Sequence, residues 1–294
     1  MSVEKRLRSL RDADPRWYQI AALSGLLLYG VTILDFGIRP AAALGIVVTA
    51  LATQLLGTLL FRLPRFDPKS ALISSLSLCI LLRSGVSWIG PFASIVAIGS
   101  KFLCRVRGKH LFNPTNLALV AALLVTARAW VSPAQWGSGV TFALAIACAG
   151  GLVVGRARRW DVTAAFLASH AAFLFGRSLW LGEPLAIPLH RMEGGALLLF
   201  AFFMISDPKT TPDSRAGRVL FAVLVAAGAY AVQFRYFRTN GLLWSLAACS
   251  LLVPLIDLVL PGARYQWKSS LRKENPHASH APLLGRAPLP PALG

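Results

Sequence analysis

Apolar residues along this chain come in long blocks. They show neither the alternation of a half-buried strand nor the spacing of a helix with one wet face. Ten blocks stand out, at 17–37, 41–61, 70–83, 87–104, 114–131, 139–155, 162–180, 193–206, 218–234 and 242–260. A block of roughly 17 to 25 apolar residues can cross a bilayer as a helix, because a helix satisfies its backbone N–H and C=O groups internally. The predicted fold class is therefore an all-α integral membrane protein of about ten transmembrane helices. The third and eighth blocks are short, which suits tilted, broken or partly embedded helices. Ten divides into five plus five, and an odd number per half would make the halves inverted repeats.

Charge tests the division, since cytoplasmic connections should hold the excess of Lys and Arg. Of 30 such residues, all but Arg39, Arg83, Arg128, Arg177, Arg191, Arg235 and Arg238 fall in alternate connections, which predicts ten spans with both termini cytoplasmic. The domains read as a basic cytoplasmic leader over 1–16, a polytopic transmembrane domain over 17–262, and a cytoplasmic tail over 263–294. That tail is basic, then Pro-rich, and expected to be largely disordered. The first block lies behind a charged leader without a small-residue cleavage site, so it reads as a retained helix and not a signal peptide. Such a chain belongs in a membrane, with the lipid bilayer as its first partner.

Composition agrees: 55% of the 294 residues are hydrophobic, only 14% are charged, and the mean hydropathy is +0.60. A net charge of +18 would fit nucleic-acid binding, but the basic residues sit in short clusters between apolar blocks, so no nucleic-acid partner is expected. Cys79, Cys104, Cys148 and Cys249 are far apart, with no CxxC and no neighbouring His, and read as small buried hydrophobes. No metal site is expected.

Two polar stretches carry the candidate chemistry. In "KHLFNPTNLALV", 109–120, Asn113 and Pro114 read as the cap and first residue of a helix. With Asn116 one turn on and Lys109 and His110 just before, the same helix start could hold a phosphate or another anion. In "FFMISDPKTTPDSRAGR", 202–218, Asp207 and Pro208 stop one helix, and Thr211, Pro212 and Asp213 start the next, with Asp213 a candidate cap. Two prolines, two acids and three bases there make a rigid polar surface suited to a ligand or partner. "FDPKS" at 66–70 resembles "SDPKT" at 206–210, but one precedes a helix and the other follows one, so they read as similar local solutions. Asp35, Glu193 and Asp257 fall inside or beside apolar blocks, where an acid needs a partner, a wet cavity or a proton, and are candidates for an ion or proton path. Asp35 could pair with Arg39 and Glu193 with Arg191. His170, mid-block, reads as a core histidine. No P-loop, dinucleotide fingerprint, GxSxG or HExxH is present.

Taken together, "SALISSLSLCILL", "KHLFNPTNLALV", "HRMEGGALLLFAFFMISDPKTTPDSRAGRVLFA" and "LLVPLIDLVLPGARYQW" resemble, in the same order, landmarks of one membrane family. It comprises the D subunit of the Rnf electron-transport complex and the B subunit of the sodium-translocating NADH:quinone oxidoreductase. The resemblance covers roughly residues 15 to 268, and "FFMISDPKTTPDSR" is its most specific piece. It implies a ten-helix, flavin-carrying subunit of an ion-pumping redox complex, working with other membrane redox subunits. Members carry FMN on a threonine of an S/T-G-A-T type motif after the FNP helix. Here that region reads "TARAWVSPAQWGSGVTF", without GAT, so a flavin (FMN or riboflavin) would be noncovalent, bound between the FNP helix and the DP turn. The residues lining it would be Asn113, Pro114, Asn116, Asp207, Thr210 and Thr211. The chain is most similar to a divergent branch encoded with enediyne pathways, which adds biosynthetic enzymes as partners. The leading expectation is an electron-transport subunit. The alternatives are a transporter or channel on the same scaffold without a redox cofactor, and a scaffold recruiting soluble enzymes.

Overall fold

The computed structural model describes residues 14–131 and 140–266, with side chains from 146 onward in the second stretch. The leader through 13, the segment 132–139 and the tail from 267 lie outside the described residues, and so do the readings made on them. Residues 15–265 group as one unit.

Each of the ten apolar blocks meets a helix or a bent pair of helices. In chain order these are α1 (Pro15–Thr32), α2 (Pro40–Leu60), α3 (Lys69–Leu81), α4 (Ile89–Leu103), α5 (Pro114–Val125), α6 (Val140–Ala157), α7 (Trp160–Leu181), α8 (Ala186–Met192) with α9 (Gly195–Leu199), α10 (Arg215–Tyr230), and α11 (Gly241–Ser250) with α12 (Val253–Val259). α9 and α10 run on into π-helical turns, Phe200–Met204 and Ala231–Arg235. Helices α2, α7 and α10 with its extension are long and apolar enough to cross a membrane, and counting each bent pair as one span brings the total to five. The pairs bend by 47° at Glu193–Gly194 and by 51° just before Pro254, whose missing N–H cannot extend the preceding ladder.

The helical reading needs two corrections. α1 stops at Thr32, and Asp35 and Gly37 turn the chain with φ of 46° and 58°. The blocks 70–83 and 114–131 end short as helices, and their last residues pair instead as antiparallel strands, β1 (Leu82–Ser84) with β4 (Ala129–Val131). Small ladders satisfy backbone groups that a longer helix would have bonded internally. A second ladder, β2 (Arg105–Val106) with β3 (Lys109–His110), joins α4 to α5. The fold is thus largely, not purely, helical.

Helix surfaces are apolar outside and mixed inside. α2 exposes Leu44, Val48, Leu55, Leu56 and Leu59 while burying Ala50, Gln54 and Thr58. An exterior of leucines around a core that holds amides and hydroxyls suits lipid. Where helices cross, hydroxyls reach across to carbonyls: Ser94 to Ile46 at 2.9 Å, Ser245 to Val225 at 2.7 Å and Thr163 to Ala201 at 2.9 Å. Glycine permits the closest approach, as small residues do in packed membrane helices.

The pairing of helices repeats along the chain. In the first half α1 packs on α3, α2 on both α3 and α4, and α4 on α5. In the second half α6 packs on α9, α7 on the α8/α9 segment and on α10, and α10 on α11. Counting each bent pair as one segment, these four pairings recur displaced by five, while the contacts of α3 with α4 and α5, and of α6 with α7, have no counterpart among the main contacts of the described residues. The halves touch through corresponding members, α1 with α6 and α5 with α11.

Gly228 on α10 marks one such approach, since a Cβ there would run into the Ser245 hydroxyl. Gly228→Val should lower the free energy of unfolding in detergent by about 1–3 kcal/mol. Gly25, exposed on α1 with nothing within 4 Å of an added Cβ, should gain about 0.5–1 kcal/mol as Gly25→Ala. Thermal unfolding of the two variants beside the parent checks both signs.

Candidate functional site

The two polar stretches singled out in the sequence meet. Between β2 and β3, Arg107 and Gly108 take φ of 52° and 76°, the left-handed pair of a tight hairpin turn. The hairpin delivers Lys109 and His110 next to the start of α5. There Asn113 caps the helix, its Oδ1 accepting from the Asn116 N–H at 3.0 Å, with Pro114 in the first turn. The Asn113 amide nitrogen donates to the Met204 carbonyl at 3.3 Å and to Asp207 Oδ2 at 3.4 Å. Asn116 donates to the Leu243 carbonyl on α11 at 3.2 Å, while its own Oδ1 is buried and has no partner among the described residues.

Asp207 organises the other stretch. Its Oδ1 accepts from the Lys209 N–H at 3.0 Å, and its carbonyl accepts from the hydroxyls of Thr210 and Thr211 at 3.4 and 3.1 Å. "FDPKS" makes the same turn, with Asp67 Oδ1 accepting from the Lys69 N–H at 3.2 Å. Both stretches therefore share one local solution, an Asx turn. Burial raises the Asp207 carboxyl above the usual range, against the Lys209 N–H and the Lys101, Lys209 and Arg159 charges, which lower it.

Beside this join lies a chain of charges, half-buried at Lys109, Asp213 and Asp257 and buried at Arg218 and Asp161. Lys109 Nζ sits 3.0 Å from Asp213 and 2.7 Å from Asp257, and Asp257 also accepts the Asp213 N–H at 2.7 Å. Arg218 donates to Asp161 at 2.9 and 2.5 Å and to the Asp213 carbonyl at 2.7 Å. Asp213 is thus an ion-pair partner and not the cap expected of it. Ser214 caps α10, accepting from the Gly217 N–H at 3.0 Å.

Beside the charge chain opens a cavity of about 250 Å³, lined among others by Arg105, His110, Lys209, Arg264 and Tyr265. Lys209 Nζ donates to the Tyr265 carbonyl at 3.1 Å, Arg264 donates to the Arg107 carbonyl at 2.7 Å, and Arg105 donates to the Lys101 carbonyl. Burial pushes His110 down to about 4, helped by the positive charges of Arg105, Lys101 and Lys209, so the ring is neutral at pH 7. Burial likewise lowers Lys209, which Asp207 supports and Arg16, Arg264 and Arg105 repel.

A flavin fits this place only in part. The donors suit its phosphate, but the cavity is smaller than the roughly 300–1,000 Å³ of pockets that enclose a comparable ligand. The ring would have to lie outside it. Of the six residues read as flavin-lining, Asn113 and Asp207 join the two stretches, and none of Asn113, Pro114, Asn116, Asp207, Thr210 and Thr211 lines the cavity; residues flanking them do.

The three candidate acids part company. Asp257 joins the charge chain. Asp35 is exposed in the turn after α1, and Glu193 lies at the break between α8 and α9. Among the described residues neither has an ion pair, and Arg191 and Arg177 both lie over the Phe234 ring, at 5.1 and 4.6 Å. His170 is buried against Phe166. Sequence reading passed over Arg105 and Asp161, which belong to no motif, and over Arg264 and Tyr265, which lie in the landmark "LLVPLIDLVLPGARYQW" but were given no role. The basic connections at 105–109 and 264–268 were the available signal.

Residues 128–266, just under half of the chain, match the family described as the NQR2, RnfD, RnfE family. Among curated relatives, the D subunit of the ion-translocating oxidoreductase complex of Erwinia tasmaniensis is 32% identical over 108 residues, 36% of this chain and 30% of the relative. The protein of the same description in Escherichia fergusonii is 30% identical over 128 residues, 44% and 34% of the two chains. The one in Tolumonas auensis is 32% identical over 111 residues, 37% and 32%. The chain spans about a third of the length of these curated relatives. It is a multi-pass membrane protein with distant similarity, over part of its length, to the D subunit of the Rnf complex.

Proposed function

We propose that this chain is a membrane subunit of a redox-driven, ion-translocating electron-transport assembly of the Rnf D kind. It crosses the membrane ten times as two inverted halves of five helices, with both termini cytoplasmic. The observation that carries the reading is the union of 109–116 with 206–213. The two stretches that resemblance singles out are joined through Asn113 and Asp207 and backed by Lys109, Asp213 and Asp257. A rigid polar face of this kind suits the docking of partner subunits. Support for ten crossings is the repeat of helix pairing with a shift of five, and five helices per half turn the second half over. Glu193, at a broken helix and without an ion pair among the described residues, is placed as transporter acids are and is the leading candidate for the ion path. A transporter or channel on the same scaffold is the second reading, favoured by the two bent helix pairs. Service to enediyne or other natural-product biosynthesis is a finer reading that rests on the motifs alone.

Flavin content tests the redox reading first. Protein purified in mild detergent should carry flavin in near-stoichiometric amount, released on denaturation because no attachment threonine is present. A colourless, folded protein would instead favour transport, read next as solute or ion flux in liposomes.

The joined motifs have their own test. Asn113→Ala removes a cap and should cost about 1–2 kcal/mol of stability, with a matching loss of partner retention or flux. Because burial raises the Asp207 carboxyl, the folded chain binds that proton more tightly than the unfolded chain. Its contribution therefore favours folding below the ordinary carboxylate range and is lost as pH rises through the raised value. Asp207→Asn should flatten that slope in unfolding measured across pH. Full activity in both variants would reduce the motifs to helix punctuation.

A further inference from the structure

The cavity beside the joined motifs gathers more positive than negative charge: Arg105, Lys109, Lys209 and Arg264 line it against Asp213. Lys109 is committed to Asp213 and Asp257. Among the described residues Arg105, Lys209 and Arg264 have no carboxylate ion pair. Each is held instead by a backbone carbonyl, of Lys101, Tyr265 and Arg107 respectively. A carbonyl fixes a cation in place without cancelling its charge, and one bond leaves two of the three lysine donors, and most of the guanidinium donors, unused. Three cations around one concavity repel one another; Lys209 is lowered mainly by burial, is supported by Asp207, and is repelled by Arg16, Arg264 and Arg105. Asp213, the acid lining the cavity, is spent on Lys109.

We propose that this cavity is a binding site for a phosphate group, held by Arg105, Lys209 and Arg264 at the face formed by the β2–β3 hairpin and the DP turn. Phosphate is the anion that this donor set fits best. Two guanidinium forks and an ammonium offer several N–H donors to tetrahedrally arranged oxygens, more than a carboxylate accepts. A volume of about 250 Å³ admits the phosphate and the atoms next to it, leaving the rest of the ligand outside. Two sources offer that group: a soluble phosphorylated molecule, or an anionic phospholipid headgroup at the membrane surface. The site does not depend on the redox reading, because neither probe below contains a flavin.

The test uses the full chain in mild detergent, with inorganic pyrophosphate as the soluble probe and short-chain phosphatidylglycerol as the lipid probe; short-chain phosphatidylcholine is the zwitterionic control. Affinity is read by thermal shift and by titration. The wild type should bind at least one anionic probe, and Lys209→Gln and Arg264→Gln should each weaken it by about tenfold or more. Arg264→Lys, which keeps the charge and loses the fork, should fall between. Arg238→Gln, a cation at the opposite end by charge pattern, should bind as the wild type does. Pyrophosphate binding alone identifies a soluble source, and phosphatidylglycerol binding alone identifies the lipid; either supports the site. Arg264 is exposed, so Arg264→Gln should keep the unfolding midpoint measured without probe. No binding of either probe, equal binding by wild type and Arg264→Gln, or an equal loss in Arg238→Gln would overturn the proposal.

Discussion

Lys109 held between Asp213 and Asp257 is the contact on which this end of the molecule depends. An ammonium and two carboxylates largely taken out of water are costly alone, and removing one partner leaves the others partly buried and uncompensated. The three residues lie on the β2–β3 hairpin, at the start of α10 and on α12, so the cost can be avoided only if those elements stay together. Arg218 extends the constraint to Asp161 on α7. Charge therefore ties the second half of the helices to the connection that opens α5, where apolar packing alone would let helices slide.

The site follows from that tie. With the hairpin pinned, Asn113 reaches the turn built by Asp207, and the family-like motifs become a structural joint in which Asn113 and Asp207 bond to each other. What remains available to a ligand are the flanking cations, each steadied by a carbonyl. A flavin read onto the motif residues themselves would compete with the bonds that hold the joint. The phosphate-sized cavity is displaced by a few residues from where the motifs draw the eye.

Similarity to the D subunit of the Rnf complex and the repeated helix pairing bear on different things. The first covers only part of the chain and of its relatives. The second covers the whole described unit and concerns architecture. Their overlap is the second half of the chain, where the DP turn, the broken segment and the charge chain all lie.

Ten apolar blocks and the alternation of Lys and Arg were legible in the sequence by themselves, because the length of an apolar run and the sidedness of charge are local quantities. So was the helix start at Asn113 and Pro114, since a cap is a contact between residues three apart. Where the blocks stop being helix was not legible. The pairing of 82–84 with 129–131 is a contact between distant strands, and the early end of α1 depends on a turn made by Asp35 and Gly37. The site was half legible: Asn113 and Asp207 stood out by motif, but that they touch, that Asp257 answers Lys109 across 148 positions, and that Arg264 closes a cavity with Arg105 and Lys209 are long-range facts. Partner choice for a charge is settled by which opposite charge the packed helices bring within reach, and only the tertiary structure decides that.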